Sequence, residues 1–282
     1  MAGITTLTAA KGLHLDVRGF APTELIPEAL ILQTSTKAGF VEGDEPAVRC
    51  PFVNVDDDAG FVAEGANIPE ADPEHTEVVI HTGKVAVLVR TSREQHSQGN
   101  AAALVSDSVR RAIIRKANGA YLSQPAPTAP ATTPPAGLLS LSPTSGGTVA
   151  DDFDVVADTL MGIEAANGQA THIVASPSAW ASLTKFKAAT GSNSSLVGAG
   201  VEAAERRLLG VPVIVSNAMT ADKILVLDNT AILSAYGNVQ LAVSDQAFFA
   251  SDSVAVRCTF RFGQKLIDPA RVVQLTVTDP SV

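Results

Sequence analysis

A glycine-rich segment near residue 200 is the clearest match to a motif that carries chemistry. Residues 198–203 (GAGVEA) fit the pattern G-x-G-x-x-A, whose glycines let a backbone approach a pyrophosphate at the start of a helix. Residues 191–195 (GSNSS) before it are not a hydrophobic strand, and the strand expected after it ends in Ser216 and Asn217, with no acidic residue for a ribose. We therefore interpret the match as chance and keep a nucleotide-binding α/β enzyme as an alternative.

Two further patterns resemble catalytic or metal sites. Ser182 and Lys185 fit the S-x-x-K spacing, in which a lysine activates a serine nucleophile, but no K-T-G motif accompanies them. His75 and His81 share one face of a strand, but zinc needs a third and a fourth ligand. We interpret these histidines as surface residues. The sequence therefore predicts no catalytic residue, no cofactor and no metal site.

Composition disfavours several classes of protein. The 282 residues are 46% hydrophobic and 17% charged, and 20 basic against 29 acidic residues give a formal charge of −9. A chain of this size buries a sizeable core, and its acidity disfavours sequence-specific nucleic-acid binding. The two cysteines, Cys50 and Cys258, form no disulfide framework and favour a reducing compartment. Residues 1–11 lack the pattern of a signal peptide, and no apolar stretch is long enough to cross a membrane.

The elements that would position these residues begin with β-type runs. We expect residues 1–33 to be an arm that needs a partner surface, followed by strands at 52–55, 60–66, 78–80 and 85–89. Residues 51–83 would then form a long hairpin, with eight acidic residues and no lysine or arginine. Because isolated two-stranded ribbons are marginal in water, we expect this hairpin to lie on another surface.

The longest helix is expected at 99–123. Val105, Val109, Ala112 and Ile113 recur at helical spacing, and we expect this stripe to face strands at 254–262 and 271–277. Four basic residues lie largely off the stripe, where they either contact phosphates or pair with acidic neighbours: Arg110, Arg111, Arg115 and Lys116.

A proline-rich connector at 125–135 separates this helix from a region in which helices and strands alternate. We expect Asp151 or Asp152 to cap one helix and Ser176 to cap another. A short helix at 201–209 would be closed by Gly210. The strands of this region are expected at 171–175, 211–215 and 223–227, and those of the tail at 254–262 and 273–277. The mixture indicates an α/β or α+β fold.

The order of elements, together with six short strings, resembles the major capsid proteins of tailed phages, which have the Hong Kong 97 type of shell fold. The similarity runs from about Cys50 to the C-terminus. The strings are residues 63–70 (AEGANIPE), 84–94 (KVAVLVRTSRE), 134–139 (PPAGLL), 173–180 (IVASPSAW), 209–213 (LGVPV) with 217–219 (NAM), and 268–273 (DPARVV).

The resemblance implies an α+β fold with an N-terminal arm, an extended E-loop hairpin, a P-domain with a long spine helix, and an A-domain. The implied limits are an N-terminal arm at 1–33, a lead into the P-domain at 34–50, the E-loop at 51–83, the P-domain strand and spine helix at 84–135, the A-domain at 136–245, and the P-domain return strands at 246–282.

In function, the resemblance implies a subunit that assembles into hexamers and pentamers of an icosahedral phage head, in the host cytoplasm, without a membrane. Implied partners are a portal, a decoration protein, packaged double-stranded DNA bound without sequence preference and, because only about 50 residues precede the hairpin, a separate scaffold protein. An encapsulin, a nanocompartment shell of the same fold, is the alternative. Residues implied to contact a neighbouring subunit are Phe61, Glu64, Ile68 and Glu70, and those implied to face DNA are Arg110, Arg111, Arg115 and Lys116.

Some members of this family crosslink covalently through an E-loop lysine, an asparagine and a catalytic glutamate. The matching positions in this chain are Ile68, Asp252 and Thr259. Since residues 51–83 contain no lysine, the amine nucleophile is missing from the hairpin. We therefore expect a shell that is not crosslinked by this route.

Overall fold

The computed structural model describes residues 17–54, 61–62, 64–65, 67, 74–96, 101–187, 194–197 and 206–280. In chain order its strands are β1 (Val17–Phe20), β2 (Thr36–Phe40), β3 (Ala47–Asn54), β4 (Glu74–His81), β5 (Gly83–Ser92), β6 (Thr144–Val149), β7 (His172–Ala175), β8 (Arg207–Leu208), β9 (Val211–Val215), β10 (Lys223–Leu227), β11 (Ile232–Tyr236), β12 (Val239–Phe248), β13 (Ser253–Leu266) and β14 (Val272–Val277). Its helices are α1 (Pro22–Leu25), α2 (Leu30–Thr34), α3 (Arg93–His96), α4 (Ala101–Ser123), α5 (Asp154–Ala165) and α6 (Pro177–Lys185).

The first sheet is built around the long strand β13. Its strand order is β1-β12-β13-β11-β2, and β5 pairs antiparallel with β13 over ten residues. Val256, Cys258 and Phe260 are buried on one face of β13, whereas Arg257 between them is exposed. The predicted alternation of this strand is therefore confirmed, because successive side chains of a strand point to opposite faces.

Helix α4 covers the apolar face of this sheet. Val109, Ile113 and Ala117 are buried in one cluster with residues of β5 and β13, as helical spacing predicts. The expected packing on residues 271–277 is largely wrong, because these residues form β14 of the other sheet and Val272 joins the cluster from there. No helix within the described ranges is long and apolar enough to span a membrane.

The segment expected to be an N-terminal arm is described from residue 17 onward. Strand β1 pairs with β12, and Ile26, Leu30 and Ile31 are buried in the same cluster as α4. The Leu30 amide donates a hydrogen bond to Asn118 Oδ1 at 2.9 Å. Residues 17–33 therefore pack on the body of their own chain. The expectation that they form an arm that needs a partner surface is wrong for this described part.

The second sheet is mixed, with the strand order β6-β14-β10-β7-β9-β8 and a core shared with α5 and α6. Ser176 caps α6 as predicted, since its side chain accepts a hydrogen bond from the Ala179 amide at 3.1 Å. The N-cap residue of α5 is Phe153 rather than the expected Asp151 or Asp152, and the Asp152 carboxylate accepts a hydrogen bond from the Asp154 amide at 3.2 Å.

The helix expected at 201–209 is wrong over its described part. Arg207 and Leu208 form β8, which turns through Leu209 and Gly210 into β9. Both turn residues have positive φ, 47° and 86°, which suits a tight hairpin turn and ends any helix. Gly210 therefore serves a hairpin rather than a helix terminus.

Sheet membership also differs from the expected A-domain limits of 136–245. Strand β11 lies within those limits and β12 crosses their end at residue 245, yet both belong to the first sheet, whereas β14, beyond the limits, belongs to the second. Alternation along a strand predicts which face is buried but says nothing about which strand lies beside it.

Candidate assembly surfaces

The hairpin of β3 and β4 is anchored to the body through its base. The two strands pair antiparallel from Ala47 opposite His81 to Asn54 opposite Glu74. At the base, Cys50 and Ile80 are buried against Val41 and Ala235 in a small separate cluster. The direction in which the hairpin leaves the body is therefore fixed by packed side chains.

A close backbone approach holds this base against β13. A Cβ atom built on Gly263 would lie 2.0 Å from the carbonyl oxygen of His81, a distance that no side chain tolerates. Arg261 adds hydrogen bonds from its guanidinium to the Glu45 carbonyl oxygen at 3.2 Å and to Thr82 Oγ1 at 3.1 Å. Glycine at 263 is thus required for the hairpin to sit where it does.

The described residues of the hairpin tip are exposed. Phe61 is fully exposed, and Val62 beside it is 39% exposed. Glu64 and Gly65 form an exposed turn, with Gly65 at a φ of +82°. The strand expected at 60–66 is therefore wrong for the described part of that run, and Ile68 and Glu70 lie outside the described residues.

The structure divides the four basic residues of α4 into two kinds. Arg110 is partly buried, and its Nε lies 3.9 Å from Asp107 Oδ1, so it has an acidic neighbour on its own helix. Arg111, Arg115 and Lys116 are exposed and have no ion pair within the described part of the chain. The sequence left two alternatives for these residues, pairing with acidic neighbours or contact with phosphates. The structure supports pairing for Arg110 and leaves the other three as an open basic surface.

Two of the three positions matched to the crosslinking residues are described. Asp252 accepts a hydrogen bond from Arg93 Nε at 2.6 Å, and its own backbone has a φ of +43°. Thr259 is half-buried on β13, between Gln240 on one side and Ala86 on the other. The third position, Ile68, lies outside the described residues. A carboxylate in an ion pair and a neutral hydroxyl replace the amide and the base that the chemistry requires.

The surroundings of the S-x-x-K, glycine-rich and histidine motifs do not support a catalytic or metal site. Lys185 forms an ion pair with Asp279, and Ser182 is buried. The motif at 198–203 lies outside the described residues, as does the side chain of His75, while His81 is exposed. In the ranges that are described, no three histidine, cysteine or acidic residues are grouped to hold a metal ion.

The two cysteines are unpaired and buried. Burial raises the pKa of the Cys258 thiol to about 11, and it raises the pKa of Cys50 as well. Because the thiolate is the reactive form, burial lowers the reactivity of both thiols. They pack as small apolar side chains, Cys50 at the hairpin base and Cys258 beneath α4.

The described fold combines a sheet covered by one long helix, a separate two-stranded hairpin and a second mixed sheet, and this combination is similar to that of solved capsid proteins. Similar solved structures are a chain from Gordonia phage Cozz (18% identity, TM-score 0.65, covering 89% of this chain and 86% of that one) and a chain from Microbacterium phage Oxtober96 (16%, 0.66, 98% and 100%). The capsid of a native GTA particle is also similar (18%, 0.63, 98% and 100%). These likenesses confirm the expected α+β fold.

The model of the phage capsid family matches residues 36–277. The chain therefore belongs to the phage capsid family, and the resemblance noted from its sequence is confirmed. It is a major capsid protein, a structural protein of the virion shell. No curated protein matches the chain.

Proposed function

We propose that this chain assembles into the hexamers and pentamers of an icosahedral head of a tailed double-stranded DNA phage, with residues 51–83 as an E-loop that docks on a neighbouring subunit. The observation that carries this proposal is the difference in burial between the base and the tip of the hairpin. Its base is buried at Cys50 and Ile80, whereas Phe61 at its tip is fully exposed. A large apolar side chain on an acidic, projecting hairpin is stabilised when a second subunit covers it.

Replacing Phe61 with serine is expected to reduce particle yield about tenfold or more, because burying a phenylalanine contributes about 2–3 kcal/mol to each contact. The yield is measured by size-exclusion chromatography and electron microscopy of the expressed chain. Asn67→Ser is the matched control, since it changes an exposed polar residue of the same tip. Equal yields from the two variants would refute docking through the tip.

Within the shell, the first sheet with α4 corresponds to the P-domain, and the second sheet to the A-domain. The sheets support an A-domain at 136–228, with 229–271 in the P-domain and β14 returning to the second sheet. A scaffold protein, a portal and a decoration protein are the partners of this assembly, which takes place in the host cytoplasm.

The exposed basic side chains of α4 face packaged DNA in this proposal. Replacing Arg111, Arg115 and Lys116 together with alanine is expected to lower the slope of log K against log salt by about three for DNA binding to unassembled subunits. Fluorescence titration over a range of salt concentrations measures this slope. Arg110→Ala is the control with an unchanged slope, because Arg110 lies next to Asp107. A triple variant with the wild-type slope would remove these residues from the DNA-facing wall.

The mature shell is held without isopeptide crosslinks in this proposal. Boiling mature particles in detergent and reductant is expected to release a single band near 29 kDa. The reason is chemical, because no lysine lies within 51–83 and the carboxylate of Asp252 is a far poorer acyl donor than an amide. A ladder of covalent oligomers that survives reductant would contradict the expectation.

A further inference from the structure

The proline-rich connector between α4 and the second sheet forms a closed surface loop. Helix α4 ends at Ser123, and the next regular element is a short 3₁₀ turn at Leu138–Ser140. Between them, residues 125–135 (PAPTAPATTPP) consist only of proline, alanine and threonine. The Gly137 amide donates a hydrogen bond to the Gln124 carbonyl oxygen at 2.8 Å, which closes the loop at its base. Compact surface loops whose ends meet in this way are frequently functional.

The end of this loop is fixed, whereas the part before it is exposed. Pro135 is buried, and a Cβ atom built on Gly83 would lie 2.5 Å from its Cδ atom. Gln264 Nε2 donates a hydrogen bond to the Ala136 carbonyl oxygen at 2.8 Å. By contrast, nine of the ten residues at 125–134 are exposed. This part of the loop buries little apolar area, so packing within the chain does not explain its composition.

The loop carries three threonine hydroxyls that the fold does not use. Thr128, Thr132 and Thr133 are exposed, and none of their hydroxyls has a hydrogen-bond partner in the described part of the chain. Thr144, which is also exposed, differs because its hydroxyl donates a hydrogen bond to the Pro269 carbonyl oxygen at 2.8 Å. A free hydroxyl on an exposed loop with a fixed base is open to a second protein.

The residues around these hydroxyls indicate which kind of enzyme would recognise them. Proline biases the residue before it towards an extended backbone, so Thr133 before Pro134 suits the extended form in which many peptides are bound. No charged residue lies between Lys116 and Asp151, whereas kinases select their substrates by patterns of charge. Threonine interspersed with proline is instead typical of segments that carry O-linked sugars.

We propose that this loop is a site of O-glycosylation, with one or more hexoses attached to Thr128, Thr132 or Thr133. The reaction needs a glycosyltransferase of the infected cell and a sugar donor whose anomeric carbon is bound to a phosphate leaving group. The threonine oxygen attacks the anomeric carbon and forms the new C–O bond, while the bond from that carbon to the phosphate oxygen breaks. The phosphate leaves with the electron pair, and the hydroxyl proton passes to a base of the transferase. The modification is independent of the proposed contacts between subunits.

Peptide mass spectrometry of the chain from purified virions tests this inference. Trypsin releases residues 117–185 as one peptide, because no lysine or arginine lies between Lys116 and Lys185. We expect this peptide to exceed its sequence mass by whole hexose units, and electron-transfer fragmentation to place them within residues 125–135. The same peptide from a chain translated in vitro without sugar donors provides the unmodified reference. An unmodified virion peptide, a phosphate in place of the hexose, or a hexose only outside 125–135 would overturn the inference.

Valine at all three positions removes the hydroxyls and keeps the branched shape of the side chains. The triple variant Thr128→Val, Thr132→Val and Thr133→Val is expected to lose the hexose completely. Thr144→Val is the matched control and should keep the hexose, because it changes an exposed threonine outside the loop whose hydroxyl is already engaged. The peptide is taken from the infected-cell lysate as well as from particles, so that a defect in assembly does not hide the result. A hexose that remains on the triple variant would contradict the proposal.

Periodate oxidation followed by labelling with a hydrazide dye provides a second test that does not depend on mass. Periodate cleaves the neighbouring diols of a sugar to aldehydes, which the dye then labels. We expect label on the capsid band near 29 kDa from the wild type and from Thr144→Val, and none from the triple variant. Alkali should also remove the label, because it releases sugars from threonine by β-elimination but leaves sugars attached to lysine. A label that survives both the triple substitution and alkali would overturn the proposal.

Discussion

Replacing Val109 with aspartate is expected to prevent stable folding of the subunit and, with it, formation of the shell. Val109 is 2% exposed and lies in the cluster that joins α4 to β5 and β13. An unpaired carboxylate in this position loses its hydration without gaining a partner, and the valine leaves a gap where it packed. Together these effects cost about 3–5 kcal/mol, a large part of the stability of a typical domain.

The measurement is the thermal unfolding midpoint of the soluble subunit, followed by a count of particles in electron micrographs. Ser108→Asp is the control, because it places the same charge one residue earlier on the exposed side of α4. Its effect on the free energy of unfolding is expected to stay within about 0.5 kcal/mol. Normal particles from Val109→Asp would show that α4 does not pack on the sheet through this stripe.

Gly263→Ala, which replaces one hydrogen with a methyl group, is expected to lower both the stability of the subunit and the yield of particles. The new Cβ atom of Gly263→Ala would lie 2.0 Å from the His81 carbonyl oxygen, so either β13 or the hairpin base must move. Overpacking of this kind costs about 3 kcal/mol, and a backbone atom cannot rotate away as a side chain does. Because the hairpin base is displaced, we expect particle yield to fall more than the loss of stability alone explains.

Gly119→Ala is the matched control for this substitution. Gly119 lies in α4, and no atom from beyond its chain neighbours and the backbone of its own helix comes within 4 Å of the position that its Cβ would take. Alanine is favoured over glycine in a helix by about 0.5–1 kcal/mol, so this variant should be slightly more stable and should assemble normally. Differential scanning calorimetry of both variants compares the unfolding temperatures. Equal unfolding temperatures and equal particle yields would show that Gly263 does not set the position of the hairpin.

Local periodicity explains which parts of the fold could be predicted. The alternation through Val256, Cys258 and Phe260, and the helical spacing of Val109 and Ile113, each follow from a repeat along the chain itself. The cap at Ser176 is equally local, since its side-chain oxygen accepts a hydrogen bond from the amide of Ala179, three residues later. Such features depend on near neighbours in the sequence, so they could be predicted without the tertiary structure.

The turn at Leu209 and Gly210 shows where local reasoning stops. A glycine after an apolar run fits both the end of a helix and a hairpin turn, and the choice depends on whether Val211–Val215 finds partner strands. It does so in the second sheet, where β9 pairs with β7 and β8. Propensity is overridden here because hydrogen bonds between distant segments contribute to only one of the two outcomes.

The candidate surfaces divide in the same way. The sequence determined that residues 51–83 are acidic and lack lysine, and that Arg110, Arg111, Arg115 and Lys116 lie near one another on a helix, because composition and helical spacing are properties of the chain alone. Two other contacts depend on the packing of distant segments: Gly263 lies against the His81 carbonyl oxygen, and Lys84 lies opposite Arg261 in the strand register. These neighbours depend on strand pairing and register, which the packing of the whole chain selects.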